Sequence, residues 1–466
     1  MDADESPFHP APTPPRRGLW VLVGLALAIA AAVWLFGREE IEQIRDSWRA
    51  ETPHEEYLKA LHDAGLAGTA LTQAWIREAA AAVENPRTVE LPFQEETFIA
   101  ADAPEAVGYR FAVTRGQRIH LALSIDADEA PRVFLDLFRV PEDPADPLRP
   151  VTEFERGTEG VLSYEPTRSG EYVVRLQPEL LREGRFRLTL EATPALAFPV
   201  EGRDSRAILS FFGADRDAGR RVHHGVDVFA PRGTPVLASA AGRVGRVEVT
   251  NLGGKVVWLR DHRGRNLYYA HLDSQYVRSG AEVEEGDTLG FVGNSGNART
   301  TPPHLHYGIY IRGEGPVDPY PFLVEPRGRL VALDADLERL GTWGRAMNEG
   351  MRLRATPGVS GAVLQELDRH TAVRIVGAAG SWYRVRLPDG ASGYLSARLV
   401  DDLSAPVSET VPATALEALS RPEASAPVVQ RVAAGAALPV LGRFEDYLFV
   451  REPAGRTAWI RADDLG

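Results

Sequence analysis

The chain has 466 residues, 52 basic against 65 acidic side chains, a formal net charge of −13 and no cysteine. Such a length exceeds one ordinary core and predicts several domains. The acidic balance, with no dense Lys/Arg run, argues for no nucleic acid among the partners, and the lack of thiols excludes disulfides, thiolate zinc sites, Fe–S clusters and cysteine nucleophiles.

Residues 1–17 are Pro-rich and predict a disordered cytoplasmic tail. The run "GLWVLVGLALAIAAAVWLF", Gly18 to Phe36, carries no charge. As a helix it would reach about 28 Å, close to a hydrocarbon core of about 30 Å. Trp20 and Trp34 lie near its ends, where amphipathic rings favour the interface. A cleaved signal peptide is the rival reading, with small residues at Ala30 and Ala32; the apolar run continues past them to Phe36, which suits a retained anchor. Arg16 and Arg17 precede it and Arg38, Arg45 and Arg49 follow, so charge leaves the orientation open. The expectation is a single-pass protein of the cytoplasmic membrane with its bulk extracytoplasmic (periplasmic), mainly because of the substrate argued below.

Residues 40–88 read as a helical spacer without visible chemistry. Thr52 can cap a helix with Pro53 at its first position and Glu55 closing a Thr-x-x-Glu box. A second helix is predicted from about Thr69 to Val83, stopping at Asn85–Pro86. Residues 89–194 then alternate with period two. Ile119, Leu121, Leu123 and Ile125 form one stripe, Tyr172, Val174 and Leu176 another, and Phe186, Leu188 and Leu190 a third. Gly and Pro punctuate these runs, and the predicted fold is a β-sandwich. It is weakly similar to small sandwich modules attached to secreted bacterial peptidases, which implies spacing or binding.

Next comes the candidate site, in residues 195–325. "VHHGVDVFAPRGTP" places His223, His224 and Asp227 within five positions. In a strand, residues four apart lie about 13 Å apart, too far to share an ion about 2 Å from each ligand. A bend at or before Gly225, feeding a strand from near Asp227, is therefore required, with His224 pointing away. Further on, "PPHLHYGIYIRG" has His304 and His306 on one strand face and Leu305, Tyr307 and Ile309 on the other. Gly308 leaves open space on the histidine face. Between these parts, "NLYYAHLDS" ends an apolar strand with His271.

Beyond the site, the C-terminal third contains a repeat. Pro357 matches Pro422, Gln365 matches Gln430, Gly377 matches Gly442, Gly390 matches Gly455, Trp382 meets Tyr447 and Tyr394 meets Trp459, all at one constant offset. Short alternating strands around "PDG" and "PAG" turns predict two small barrels, 346–403 and 410–466. The first copy resembles bacterial Src-homology-3-like domains, which commonly bind cell-wall peptide; the second is more diverged.

The segment from about Phe211 to Ile311 is similar to the lysostaphin/LytM-type zinc endopeptidases of bacterial cell walls. "SFFGADRDAGRRVHHGVDVFAPRGTPVLASAAGRV", "NLYYAHL", "VRSGAEVEEGDTLGFVGNSG" and "PPHLHYGI" carry the resemblance. It implies an all-β peptidase domain of the duplicated hybrid motif type, with Zn²⁺ as cofactor and His223, Asp227 and His306 as its ligands. His271 and His304 take the catalytic positions that do not bind metal. The expected chemistry is attack by a metal-activated water on peptide cross-links of peptidoglycan. His304 is the expected general base and proton donor, and His271 steadies the oxyanion or orients the water, although these two roles can be exchanged. His224 and His262 are read as bystanders. "NARTTPP" departs from the Ser-Thr-Gly-Pro run of many members, which puts substrate preference in question.

The predicted class is mainly β and multidomain: N-terminal transmembrane helix, helical hairpin, β-sandwich, peptidase domain and two barrels. Its partners are peptidoglycan peptide stems, the membrane through one N-terminal helix, and regulatory proteins. Ser295 in "GNSGN" lacks the spacing of a serine-hydrolase elbow. A lipoyl-type carrier is removed because no Lys follows Lys255. The remaining alternative is a catalytically inactive wall-binding scaffold that activates another hydrolase.

Overall fold

The computed structural model describes residues 51–156, 160–216, 220–452 and 455–465. The anchor expected at 18–36 and the tail before it lie outside the described residues. Among the described residues no helix is long and apolar enough to cross a membrane. The described residues from Leu61 onward form one compact unit.

Helix α1, Pro53–Asp63, begins with a reciprocal cap. The Glu55 amide donates to Thr52 Oγ1 and the Thr52 amide to Glu55 Oε2, at 3.2 and 2.8 Å, so two otherwise orphaned N–H groups are satisfied. Helix α2, Ala70–Glu84, is capped by Thr69, which accepts from the Thr72 amide.

The second helix does not stand alone. Trp75 is buried, its indole donates to the Pro178 carbonyl at 2.8 Å, and its ring meets Phe134 edge-on. Gln177 returns a bond to the Trp75 carbonyl at 2.9 Å. A hydrophobic face that finds a sheet is worth more than helix propensity alone, so α2 is laid on the sandwich.

Two sheets make that sandwich. One orders Arg87–Thr88, Val107–Val113, Gly170–Pro178, Val133–Arg139 and Arg149–Arg156; the other contains Phe93–Ile99, Gly184–Pro194, Gln117–Asp126 and Gly160–Tyr164. Inward residues of both, among them Ile119, Leu121, Val174, Leu176, Leu188 and Leu190, share one core. The second sheet does not stop at the sandwich. Phe93–Ile99 pairs antiparallel with Ala372–Ala379, Glu96 opposite Ala378, so sandwich and first C-terminal repeat form one eleven-stranded sheet.

The two repeats match strand for strand. Val363–Leu367, Trp382–Arg386 and Ser392–Ser396 recur as Val428–Val432, Tyr447–Arg451 and Thr457–Arg461. Each repeat buries the same face on what precedes it. Trp382 and Tyr394 pack into the sandwich core, while their counterparts Tyr447 and Trp459 pack into the core of the first repeat. There Trp459 stacks on Phe449 and meets Trp343 edge-on.

Between sandwich and repeats in sequence lies a ten-stranded sheet. Val226, Val228, Leu305, Tyr307 and Ile309 enter its core together with Phe322 and Leu323. It is joined to the sandwich by buried Arg265, which donates to Glu165 and Asp261 at 2.6 Å each. The opposite face of this sheet carries the histidines.

Candidate metal centre

The bend needed at Gly225 is present, and the strand Val226–Phe229 starts immediately after it. This strand pairs antiparallel with His304–Ile311, setting Asp227 opposite His306 and Phe229 opposite His304. Directly opposed residues share a face, so a carboxylate and an imidazole meet. A Cβ at Gly225 would lie 2.3 Å from the Tyr307 carbonyl and 2.9 Å from the His306 ring. Only glycine lets the bend approach so closely.

His223 reaches the same point from before the bend. Its amide donates to Ala214 and its carbonyl accepts from Gly213. Its Nδ1 is 2.8 Å from the Phe211 carbonyl, which as a pure acceptor requires the proton on Nδ1. His223 Nε2 then presents a lone pair to Asp227 Oδ1 at 3.0 Å and His306 Nδ1 at 2.9 Å; His306 Nδ1 is 3.0 Å from the same oxygen. Three ligand atoms from distant points of the chain converge.

The donor set calls for positive charge. Burial alone would raise the Asp227 carboxyl, but contact with the His223 and His306 rings outweighs it and holds the group well below the usual carboxylate range. Burial pushes His306 down, disfavouring its protonated form despite Asp227. Three potential ligand atoms gathered at one buried point can be bridged by a cation, and two imidazoles with one carboxylate suit zinc.

The other two predicted histidines line the same cleft, of about 580 Å³. His271 does not end its strand. It lies within Asn266–Gln275 at a bulge, with φ +61°, a left-handed conformation uncommon outside glycine. That bulge turns its ring to 5.1 Å from His304 and 5.9 Å from His306. Its Nδ1 meets the Ser295 carbonyl at 2.9 Å, and burial, with His306 and His304 nearby, pushes its pKa down to about 4. His304 Nδ1 meets the Pro302 carbonyl at 2.9 Å, and its ring stacks on Phe229. A carbonyl facing Nδ1 places the proton there, so the neutral tautomer of each ring carries its lone pair on Nε2.

Two other expectations meet different outcomes. The open space expected beside Gly308 is filled: a Cβ there would be 3.1 Å from both the His224 carbonyl and the Tyr310 ring. His224 and His262 are exposed and outside the ligand cluster, although His224 lines the rim of the same cleft.

Arg216 was not singled out by spacing. It sits on a small hairpin, Asp215–Arg216 paired with Arg221–Val222, and donates to Asp227 Oδ2 at 2.7 Å and Ser210 Oγ at 2.6 Å. Nothing in "DRDAGRR" distinguishes it from Arg220 or Arg221 without the fold; a buried carboxylate seeking a partner is the only hint.

Residues 221–319 match the profile of Peptidase family M23, and residues 349–401 that of the bacterial SH3 domain. The chain is 38% identical to the L-Ala--D-Glu endopeptidase of Bacillus subtilis over 27% of its own length and 42% of that protein's. It is 42% identical to the DD-carboxypeptidase/endopeptidase Mpg of Neisseria meningitidis over 21% of this chain and 22% of the relative. Similarity to lysostaphin of Staphylococcus staphylolyticus is 34% over 22% of each. The chain thus spans less than half the length of each of these relatives.

Proposed function

We propose, from a chain that carries a family M23 peptidase domain and a bacterial SH3 domain, that it is a zinc-dependent endopeptidase hydrolysing peptide cross-links of cell-wall peptidoglycan. The observation that carries this reading is the meeting of His223 Nε2, Asp227 Oδ1 and His306 Nδ1 around one point. Relatives named as endopeptidases support the substrate class.

His223, Asp227 and His306 would hold the zinc, which when bound supplies the Lewis acidity that makes water nucleophilic near neutral pH. His304, with Nε2 free toward the cleft, accepts the proton of the attacking water and returns it to the leaving amine. His271 is neutral at working pH, and its Nε2 can accept but not donate. Of its two expected roles, this favours orienting the water over bonding the oxyanion. The segment 18–36 would anchor the protein in the cytoplasmic membrane with its bulk periplasmic, where peptide stems are accessible.

The test is zinc content together with cleavage of purified muropeptides. His306→Ala should lose both metal and activity, while His304→Ala should keep zinc and lose turnover by about 10²-fold or more. Cleavage by His304→Ala at the wild-type rate would refute the base assignment. A wild-type protein that binds zinc and cleaves nothing would favour the scaffold reading.

A further inference from the structure

The sheet face that carries the histidines continues away from them in register. Gly308 pairs with Tyr268, Tyr268 with Trp258, and Trp258 with Arg246, one row across four strands. In the next row Tyr310 pairs with Asn266 and Asn266 with Arg260. Directly opposed residues point the same way, so these side chains form one shelf beside the site. The rings are in mutual contact: Trp258 lies 4.4 Å from Tyr268 and 5.2 Å from Tyr310 between centroids, and Tyr268 meets His306 edge-on at 5.8 Å.

The shelf forms a recess lined by Arg246, Trp258, Arg260, Asn266 and Tyr310, and Trp258 and Tyr310 also line the metal cleft. The two spaces therefore adjoin at these rings. The guanidinium of Arg246 lies 5.2 Å from the Trp258 centroid, and among the described residues its one ion pair is with Glu248 at 3.9 Å. Arg260 makes no ion pair among the described residues. Two arginines, Arg260 unpaired among the described residues and Arg246 in only a loose pair with Glu248, are collected on the working face of a strongly acidic chain; they have the charge complementary to a carboxylate, and guanidinium matches that group by paired hydrogen bonds. The rings would flank the chain that bears it.

We propose that Arg246 and Arg260, on the Trp258–Tyr268–Tyr310 shelf, form a substrate subsite for a free carboxylate of the peptide stem on one side of the scissile bond. This rests on the peptidase reading above and adds the substrate feature that the site selects. A peptide whose carboxyl is amidated would lose the charged contact while keeping the ring contacts.

The experiment uses the full chain and two synthetic muropeptides that differ only in one carboxyl being free or amidated. Wild type should prefer the free acid by about 10-fold or more in kcat/KM, through KM. The double variant Arg246→Gln/Arg260→Gln should lose that preference, with the change confined to KM for the acid and zinc content unaltered. Equal cleavage of both peptides by wild type, or an equal loss on both in the variant, overturns the subsite. Calorimetric binding to His304→Ala separates this from failure of the peptidase reading. Tighter binding of the acid than of the amide, abolished by the two glutamines, upholds the subsite even without turnover. Binding that follows glycan length regardless of the carboxyl overturns it.

Discussion

The Asp227 carboxylate has two oxygens with different duties. Oδ1 faces the imidazoles of His223 and His306, and Oδ2 accepts from Arg216 at 2.7 Å. Arg216 therefore fixes the carboxylate's rotation without touching the cluster of donor nitrogens. Partners of this kind orient metal ligands, and their loss typically weakens metal affinity by about 10- to 100-fold. Arg216→Ala should lower zinc affinity within that range, measured by competition with a chelator of known affinity, while the fold is retained. Unchanged affinity would make Arg216 a bystander. The same positional logic applies at Gly225, where the need for close approach was visible in the sequence only as a helix-opposing residue between His224 and Val226.

At the scale of elements, periodicity identified strands far better than it identified their neighbours. The stripe Ile119, Leu121, Leu123 is buried as its alternation implies. Helix α2 was equally legible as a helix, but the surface receiving Trp75 belongs to strands a hundred residues away. That packing leaves its mark at Gly108, where a Cβ would stand 1.7 Å from the Ala82 carbonyl. Gly108→Ala should push α2 off the sheet and destabilise the protein by about 1–3 kcal/mol. Chemical denaturation with intrinsic tryptophan fluorescence would read both effects, and an unchanged midpoint would show that helix and sheet separate freely. His271 teaches a related lesson: apolar alternation finds its strand but not the bulge that turns its ring into the cleft.

Over the whole molecule, the sandwich is the hub of residues 61–466. Arg265 joins it to the site-bearing sheet, and fully buried Arg384 joins it to the first repeat through Glu95, Glu105 at 3.2 Å and Thr97 at 2.9 Å. Removing one partner of a buried pair leaves an uncompensated charge and costs about 3–5 kcal/mol. Arg384→Ala should therefore speed hydrogen exchange in Phe93–Ile99 and Ala372–Ala379 together. Protection lost in only one of those strands would show sandwich and repeat to be independent. The sequence by itself determined the duplicated strands, the alternating cores and five of the histidine and aspartate side chains that line one cleft, because spacing and polarity are local properties of a chain. Only the tertiary structure decided that Arg216 grips Asp227, that Tyr310 fills the space beside Gly308, and that each repeat spends its aromatic face on its predecessor. Those are meetings between surfaces far apart in sequence, and whether such surfaces meet is set by strand register and shape, which no local pattern encodes.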